Sequence, residues 1–426
     1  MSPPGAPARM PKLSKILLLA ASVVLVLSVF LGVNSSGVSA ASDDPKQDGA
    51  YRQINVYSEV LRHIQTDYVE DPNIASVTNG ALRGLLESLD ADSSYLAPAD
   101  YKIYKTAHLG RGQVGINVSK RLGYATVVSV IPGSPADKAN LTDGDIIESI
   151  GPQHTFDLSL AMIQLLLDGQ PGSQIALSVV RPSKRADPEK MTLIRAVPSV
   201  PPVTESFYEN ASILYLKPAS LDHEHVQQIE QKLKGMSRLN TKKVLLDLRD
   251  VAAGDMPEAV RTANFFLKTG TIGALEGQKV AKQTFTAEAS KAVAANAPLV
   301  VLVNRGTAGP AELVAAALLD NKRAEIVGEH TFGEGAQQKT FELPDGGALI
   351  LSIAKYESPS GKKLQDEGVT PGILVASAQP DADTADDEAA PTGTAPQTKI
   401  ATTPKPNVTV DDQLSKALDI LKGKAA

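Results

Sequence analysis

Residues that could carry out chemistry are sparse in this sequence of 426 residues. It has no cysteine, which excludes disulfides, thiol nucleophiles and thiolate metal sites together. Six histidines are present, and none of them stands in a Ser-His-Asp or HExxH context. His223 and His225 alternate on a polar helix and would point to different faces, which favours a solvated helix over a metal site. We therefore predict no metal and no cofactor.

One segment has the pattern of a catalytic turn. It runs from Val301 to Gln338 and reads VLVNRGTAGPAELVAAALLDNKRAEIVGEHTFGEGAQQ: an apolar strand, a glycine turn, a helix, a second strand and a Gly-rich loop. Catalysis by a hydroxyl nucleophile and an amine base needs both groups close together, with the amine uncharged, and backbone N–H groups for the oxyanion. Thr307 offers a hydroxyl, and Lys322 and Lys339 offer amines, so a hydroxyl-amine dyad is conceivable here.

The first forty residues have the layout of an export signal. Three basic residues precede an apolar run of 18 residues (16–33), and the small residues 38–40 follow; the basic residues are Arg9, Lys12 and Lys15. The run is also long enough to span a bilayer if it is not cleaved. Because the positive charge keeps its end in the cytoplasm, we expect the rest of the chain in the cell envelope, periplasmic or otherwise extracytoplasmic, and anchored in the inner membrane if the segment stays uncleaved.

Length and charge set two further limits. A chain of 426 residues has room for several packed units of about 100–200 residues. The net charge of −6 and an isoelectric point near 5.6 leave no basic field. We therefore predict no nucleic-acid partner.

Two helices and a small β-rich domain are indicated before residue 200. Apolar residues at near-helical spacing predict helices from residue 51 onward and over 77–89. Residues 110–181 follow the order strand, SPADKANL, DGDIIESIG, helix, GQPG, strand, which is similar to a PDZ domain. In such domains a loop before the second strand offers backbone N–H groups to a peptide's C-terminal carboxylate. The resemblance places this peptide-binding loop at Gln113, Val114, Gly115, Ile116 and Asn117.

The later part of the chain alternates strands and helices, which predicts a mixed α/β fold whose core has a largely parallel sheet. Residues 378–407 are rich in Ala, Pro, Thr, Asp and Glu, with almost no large apolar side chain, and this predicts a linker or a disordered segment. After it, an amphipathic helix over 412–421 is expected to dock on the core.

The segment 301–338 resembles the catalytic core of the C-terminal (tail-specific) processing peptidases, exported Ser-Lys peptidases with a PDZ domain. The corresponding text of that family looks like VN-G-S-A-S-A-S-E, then QD-KRA-IVGE-TFGKG and a Gln. The stretch GALRGLLESLDADSSYLAP resembles the family's N-terminal helical segment, through which subunits pack together. The resemblance covers roughly residues 51–372 and implies the family's fold.

The same resemblance puts altered residues at the catalytic positions. The nucleophile's place falls on Gly309 and the lysine's place on Glu334, 25 residues later. The two oxyanion positions fall on Pro310, which has no N–H, and on Ala253 in the sequence DVAAG, where the family has N-x-P-G-G. Gln338 is retained. The resemblance thus implies a peptidase scaffold with a degenerate dyad and no intact catalytic residue.

These observations give one set of domain boundaries. We predict a signal peptide or membrane anchor over residues 1–41, an N-terminal helical segment over 50–106 and a PDZ domain over 110–197. A peptidase-like α/β core over 198–376, a linker over 377–408 and a C-terminal helix over 409–423 follow.

Three functions remain open at this point. The first is a pseudoprotease that binds C-terminal peptides of exported proteins without cleaving them, as an adaptor or scaffold. The second is an active serine-type endopeptidase of the same family. The third is a structural homodimer, formed through the N-terminal helices, in which peptide affinity is vestigial.

Overall fold

The computed structural model describes residues 45–106, 112–182, 187–377 and 411–424. The predicted export signal and the predicted linker over 378–407 lie outside the described residues. Within the described ranges, no helix combines the length and the apolar content that crossing a bilayer requires.

The chain divides into two compact units, 1–77 and 78–426. In the first unit, helix α1 (Pro45–Asp67) exposes the apolar side chains of Ile54, Tyr57 and Val60. Helix α2 follows at Ile74–Glu87, and its last ten residues belong to the second unit. Strand β1 (Ser94–Leu96) and helix α3 (Pro98–Thr106) come next.

A five-stranded antiparallel sheet with one small extra strand forms the PDZ domain. Its path is β2-β3-β4-β6-β7, with β5 paired to β4. Helix α5 packs against it because its apolar side chains, among them Ile163 and Leu167, are buried in one cluster with those of the strands. The elements are β2 (Ile116–Arg121), β3 (Tyr124–Val130), α4 (Pro135–Lys138), β4 (Ile146–Ile150), β5 (Gln153–His154), α5 (Leu160–Leu167), β6 (Gln174–Val180) and β7 (Glu189–Ile194).

The core contains the expected parallel sheet. Its strand order is β17-β14-β13-β10-β9-β8, and every pair is parallel except β8 with β9. Central strands such as β13, in which all five residues are buried, are covered on both faces, which suits their continuous apolar sequence. The elements are β8 (Thr204–Tyr208), β9 (Ile213–Lys217), α6 (His223–Gly235), β10 (Lys243–Asp247), α7 (Met256–Asn264), β13 (Leu299–Val303), α8 (Pro310–Asp320), β14 (Glu325–Gly328) and β17 (Ile373–Leu374).

A second, antiparallel sheet was not predicted. It has the order β1-β16-β11-β12, with β15 also paired to β16. Strand β15 is polar and mostly exposed, so it lacks the apolar alternation by which a strand is recognised in sequence. The remaining elements are β11 (Thr271–Glu276), β12 (Gln283–Thr286), β15 (Ala336–Glu342) and β16 (Ala348–Glu357).

The C-terminal helix α9 (Asp412–Gly423) docks on the parallel sheet, as the amphipathic pattern predicts. Ala417 and Leu421 are fully buried against side chains of β10, β13 and β14. Arg249 adds a polar contact, because its guanidinium binds Asp247 and also reaches Asp411 at 2.9 Å.

The expectation of two solvated histidines is wrong for one of them. His223 is exposed, and its Nδ1 lies 2.7 Å from a carboxylate oxygen of Glu258. His225 is only 5% exposed. Its ring nitrogens lie 2.8 Å from the Asp222 carboxylate and 3.0 Å from the Pro201 carbonyl oxygen, and these two acceptors satisfy the ring inside the fold.

Candidate functional site

The turn between β13 and α8 contains Gly309, the position at which the resemblance places the nucleophile, and glycine has no side chain. Gly309 precedes the helix with φ +56° and ψ −116°, a conformation that residues with a Cβ rarely adopt. A Cβ built on Gly309 would meet only Ala252 O at 3.8 Å and Glu334 O at 4.0 Å. A small side chain would therefore have space, and its nearest neighbours would be two hydrogen-bond acceptors.

In the turn between β13 and α8, neither Gly309 nor Pro310 offers a free backbone N–H to an oxyanion. Pro310 is buried at the first position of α8 and has no N–H. The N–H of Gly309 donates to Glu312 Oε2 at 2.9 Å. At the second oxyanion position, the carbonyl of Ala253 accepts from Leu221 N at 2.9 Å, which ties that segment to the neighbouring loop.

A fully buried carboxylate holds the two altered positions together. Glu312 Oε2 accepts from Gly309 N at 2.9 Å and from Glu334 N at 2.8 Å. Its Oε1 accepts from Gly333 N at 2.7 Å and from the hydroxyl of Thr331. These donors favour the ionised form, but burial outweighs them and raises the pKa of Glu312 to about 7. Positions 309 and 334 are thus anchored by one oxygen atom.

Glu334 occupies the lysine's place and faces an open cleft. The side chain of Glu334 is exposed to solvent within this cleft. Glu334 lines two neighbouring cavities, of about 300 and 80 Å³. Desolvation, then the charges of Asp92 and Glu312, raise the pKa of Glu334 to about 8, an effect that the solvent in the cleft limits. A carboxylate here cannot act as the uncharged amine of a Ser-Lys mechanism.

Asp92 is a second acid beside the same cleft. It is 8% exposed, and its Oδ2 accepts from Gln365 Nε2 at 2.9 Å. Burial, followed by the charge of Asp90, raises the pKa of Asp92 to about 6. Gln338 Nε2 donates to the carbonyl oxygen of Asp92 at 2.7 Å. The retained Gln338 therefore joins β15 to the turn before β1.

The relocated dyad is not assembled. Thr307 is fully buried, and its hydroxyl donates to the carbonyl of Leu248 at 2.8 Å. Lys322 lies past the far end of α8, which at 1.5 Å per residue places it roughly 16 Å along the helix from the turn. The ammonium of Lys339 lies over the ring of Phe341, 5.2 Å from its centroid. Neither amine faces the hydroxyl.

The predicted peptide-binding loop lines a groove between β2 and α5. All five predicted residues, Gln113 to Asn117, border this cavity of about 300 Å³. Gly115 has φ +86°, and a Cβ there would lie 2.1 Å from the Cβ of Ser134, so the loop needs glycine at this position. The N–H groups of Val114 and Gly115 have no acceptor in the part of the chain that the structure describes. Ala252 and Glu334 border the same groove, which therefore joins the PDZ domain to the altered catalytic positions.

A second contact joins these two regions. Arg121, the last residue of β2, places its guanidinium 4.3 Å from the ring centroid of Phe332 and donates to the Phe332 carbonyl. Phe332 belongs to the loop that carries Glu334. The end of the PDZ strand thus touches the loop of the altered lysine position.

The sequence assigns no role to two residues of the site. Glu312 and Asp92 are both recognisable in it only as parts of turns. Their roles depend on partners far away in sequence: Asp92 binds Gln338, 246 residues later, and Glu312 binds the loop at 331–334. A glutamate at the third position of a predicted helix is part of the capping-box signal and could have pointed to Glu312.

No cluster of three or more His, Cys, Asp or Glu side chains in the described ranges could hold a metal ion. The prediction that no metal is bound stays a prediction.

We expect the Asp92→Asn variant to be more stable than the natural chain by about 1–3 kcal/mol at pH 8 and little changed at pH 4. The pKa of Asp92 is about 6 in the folded protein against an ordinary 3.8, so the folded state binds this proton more tightly and loses stability as the pH rises from about 4 to about 6. An amide has no such proton and can still accept from Gln365. Urea unfolding at the two pH values measures the difference, with the exposed Asp157→Asn as control; equal effects at both pH values would contradict the assignment.

The groove of the PDZ domain is bordered by Ala252 and Glu334 of the α/β core, so the structure defines a protein that combines a PDZ domain with a peptidase-like core. The chain matches peptidase family S41 over residues 212–375 and a PDZ domain over residues 126–181. It is 30% identical over 392 residues to the chloroplastic carboxyl-terminal-processing peptidase 2 of Arabidopsis thaliana, with 83% of this chain and 74% of the relative covered. The chain therefore belongs to peptidase family S41, as a homologue of the carboxyl-terminal-processing peptidases.

Two further comparisons agree with this family. The carboxy-terminal-processing protease of Bartonella bacilliformis is 29% identical over 360 residues, covering 83% of this chain and 82% of the relative. The solved photosystem II D1 C-terminal processing protease superposes with a TM-score of 0.64 at 24% identity, over 76% of this chain and 92% of that one. The second comparison shows a shared fold.

Proposed function

We propose that this protein captures C-terminal peptide tails in its PDZ groove and holds them without cleaving them. The observation that carries the proposal is the side-chain-free turn at Gly309, which lies beside the backbone of Glu334, a residue whose side chain is an acid where a catalytic amine would be needed. The serine-type mechanism needs a hydroxyl that forms an acyl intermediate and an uncharged amine that takes its proton, and Gly309 and Glu334 supply neither group. Pro310 adds a third obstacle, because the loss of one oxyanion donor typically costs about 100–1000-fold in rate.

The groove supports the binding half of the proposal. Two residues that line it, Val114 and Gly115, have backbone N–H groups without an acceptor in the described chain. Strand β2 is an edge strand of the described sheet, paired only with β3, so a peptide can add beside it. Both features suit an extended peptide with a free C-terminal carboxylate.

The rival candidate is an active serine-type endopeptidase. It is favoured by the relatives, whose names call them peptidases or proteases. An active enzyme would need a nucleophile other than position 309. Thr307 is the hydroxyl closest in sequence before it, and its burial and its bond to Leu248 argue against that role.

We further propose that the protein acts in the cell envelope on exported proteins. The support is the basic, apolar and small-residue order of the first forty residues. The apolar side chains exposed on α1 support a homodimer through the N-terminal helices, in which a second copy covers them. Cell fractionation that leaves the protein in the cytoplasm would contradict the first point, and a monomer in sedimentation velocity would contradict the second.

Peptide titration tests the proposed binding. We expect the whole chain without its export signal to bind fluorescent peptides that end in a free carboxylate at least tenfold more tightly than the same peptides ending in a carboxamide. The amide removes the charge that the Val114 and Gly115 N–H groups would receive, while the rest of the peptide stays the same. Equal affinities, or no binding of either form by fluorescence anisotropy, would contradict the proposal.

A further inference from the structure

The groove that receives the proposed peptide has an acid, Glu334, among its described lining residues. These lining residues include the carboxyl group of Glu334 and no lysine, arginine or histidine. The adjoining cavity of about 80 Å³ is lined by Glu334 and Asp92, again without a basic side chain among the described residues. Where the resemblance places a lysine, this chain therefore presents a carboxyl group, and a bound cation would favour its ionised form.

The carboxylate of Glu334 is available to a ligand. No hydrogen bond or ion pair to its side chain is found in the described chain, and only its backbone N–H is used, by Glu312. The side chain borders both cavities, so a group entering from the PDZ groove can reach it. The nearby acids Asp92 and Glu312 repel its charge, and a bound cation would relieve that repulsion.

The direction of the groove decides which part of a peptide meets Glu334. A tail whose carboxylate binds the N–H groups of Val114 and Gly115 runs antiparallel to β2, toward Arg121. Arg121 contacts Phe332, two residues before Glu334. At about 3.3 Å per residue, side chains upstream of the last residue therefore pass the Glu334 loop, whereas the last side chain stays near the carboxylate-binding loop.

We propose that the preferred tails carry a lysine or arginine within the three residues before the C-terminal residue, and that its cation pairs with the carboxylate of Glu334. This inference rests on the proposed function and adds a ligand class to it. The acid at position 334 then has a binding role, selecting basic tails, in place of the catalytic role of the lysine.

A lysine scan tests this selection. Peptides that end in a free carboxylate would carry lysine, or the uncharged norleucine of similar length, at each of the last four positions in turn. We expect lysine to bind about tenfold more tightly than norleucine at one position upstream of the last, because a charge-assisted bond in a partly enclosed cleft contributes that much. The preference should weaken with added salt.

Three variants complete the test. Glu334→Gln should lose the preference, Glu334→Lys should instead favour a glutamate at the same peptide position, and the exposed Glu367→Gln should behave as the natural chain. A lysine preference that survives Glu334→Gln would overturn the inference. Carboxylate-dependent binding with no lysine preference would overturn it and leave the proposed function standing, whereas failure of every peptide to bind would overturn both.

Discussion

A four-site variant is expected to react covalently with a serine-directed fluorophosphonate, to which the natural chain should stay inert. The substitutions are Gly309→Ser, Pro310→Ala, Glu334→Lys and Asp92→Asn. Position 309 has room for a Cβ, and the backbone anchor of both dyad positions, Glu312, is already in place. Asp92 has to be neutralised because a nearby carboxylate would keep the new lysine protonated, and a protonated amine cannot accept the serine's proton. Intact-protein mass spectrometry detects the adduct.

Partial variants give this prediction its controls. Leaving Pro310 in place should slow labelling by about 100–1000-fold, since one oxyanion donor is missing. Gly309→Ala in the same background has the same unfavourable φ as the serine, at a cost of about 1–3 kcal/mol, but no hydroxyl, so it should unfold as easily and not label. Labelling of the alanine variant, or of the natural chain, would show a nucleophile elsewhere.

We expect Glu312→Gln to lower the free energy of unfolding by about 2–4 kcal/mol. The carboxylate satisfies three backbone N–H groups and one hydroxyl inside the fold. Glutamine keeps the volume but has a single acceptor oxygen, and its NH₂ would face N–H donors, leaving buried donors without an acceptor. Urea unfolding gives the loss, and hydrogen exchange at Gly309 and Gly333 should accelerate with it.

The control is the same substitution at an exposed glutamate, Glu367. Glu367→Gln should change stability by less than about 0.5 kcal/mol, because the residue lies on the surface. If the two variants were equally stable, Glu312 would not be the anchor of the turn and the loop, and the preserved geometry around positions 309 and 334 would need another cause.

These contacts show that the backbone anchor of the site is present independently of any reacting side chains. The carboxylate of Glu312 keeps the α8 turn and the Glu334 loop in register, as an active dyad would require. At the positions where the resemblance places the groups that would perform the reaction, this chain has a glycine, a proline and an acid. The PDZ groove is bordered by Glu334, one of these positions. A site that retains its approach and its alignment but has no nucleophile is suited to holding a peptide.

The sequence predicts those features that depend on residues close together in the chain. The loop at 113–117, the turn at Gly309 and the docked C-terminal helix follow from glycine placement, local matches and amphipathic spacing. The antiparallel sheet could not be predicted, because β15 is a polar strand held by its pairing with β16. The acid pair of Asp92 and Glu334 was missed since it joins turns 242 residues apart, 334 minus 92. The burial of His225 depends on Pro201, 24 residues before it.

The most direct test of the central claim is the fate of a bound peptide. The natural chain would be saturated with a peptide that ends in a free carboxylate, held for a day, and the mixture analysed by mass spectrometry. The account predicts that the peptide is bound and recovered intact. Fragments that form in proportion to the protein, and that disappear in Thr307→Val or Glu334→Gln, would show that the chain cleaves its ligand and would contradict the account.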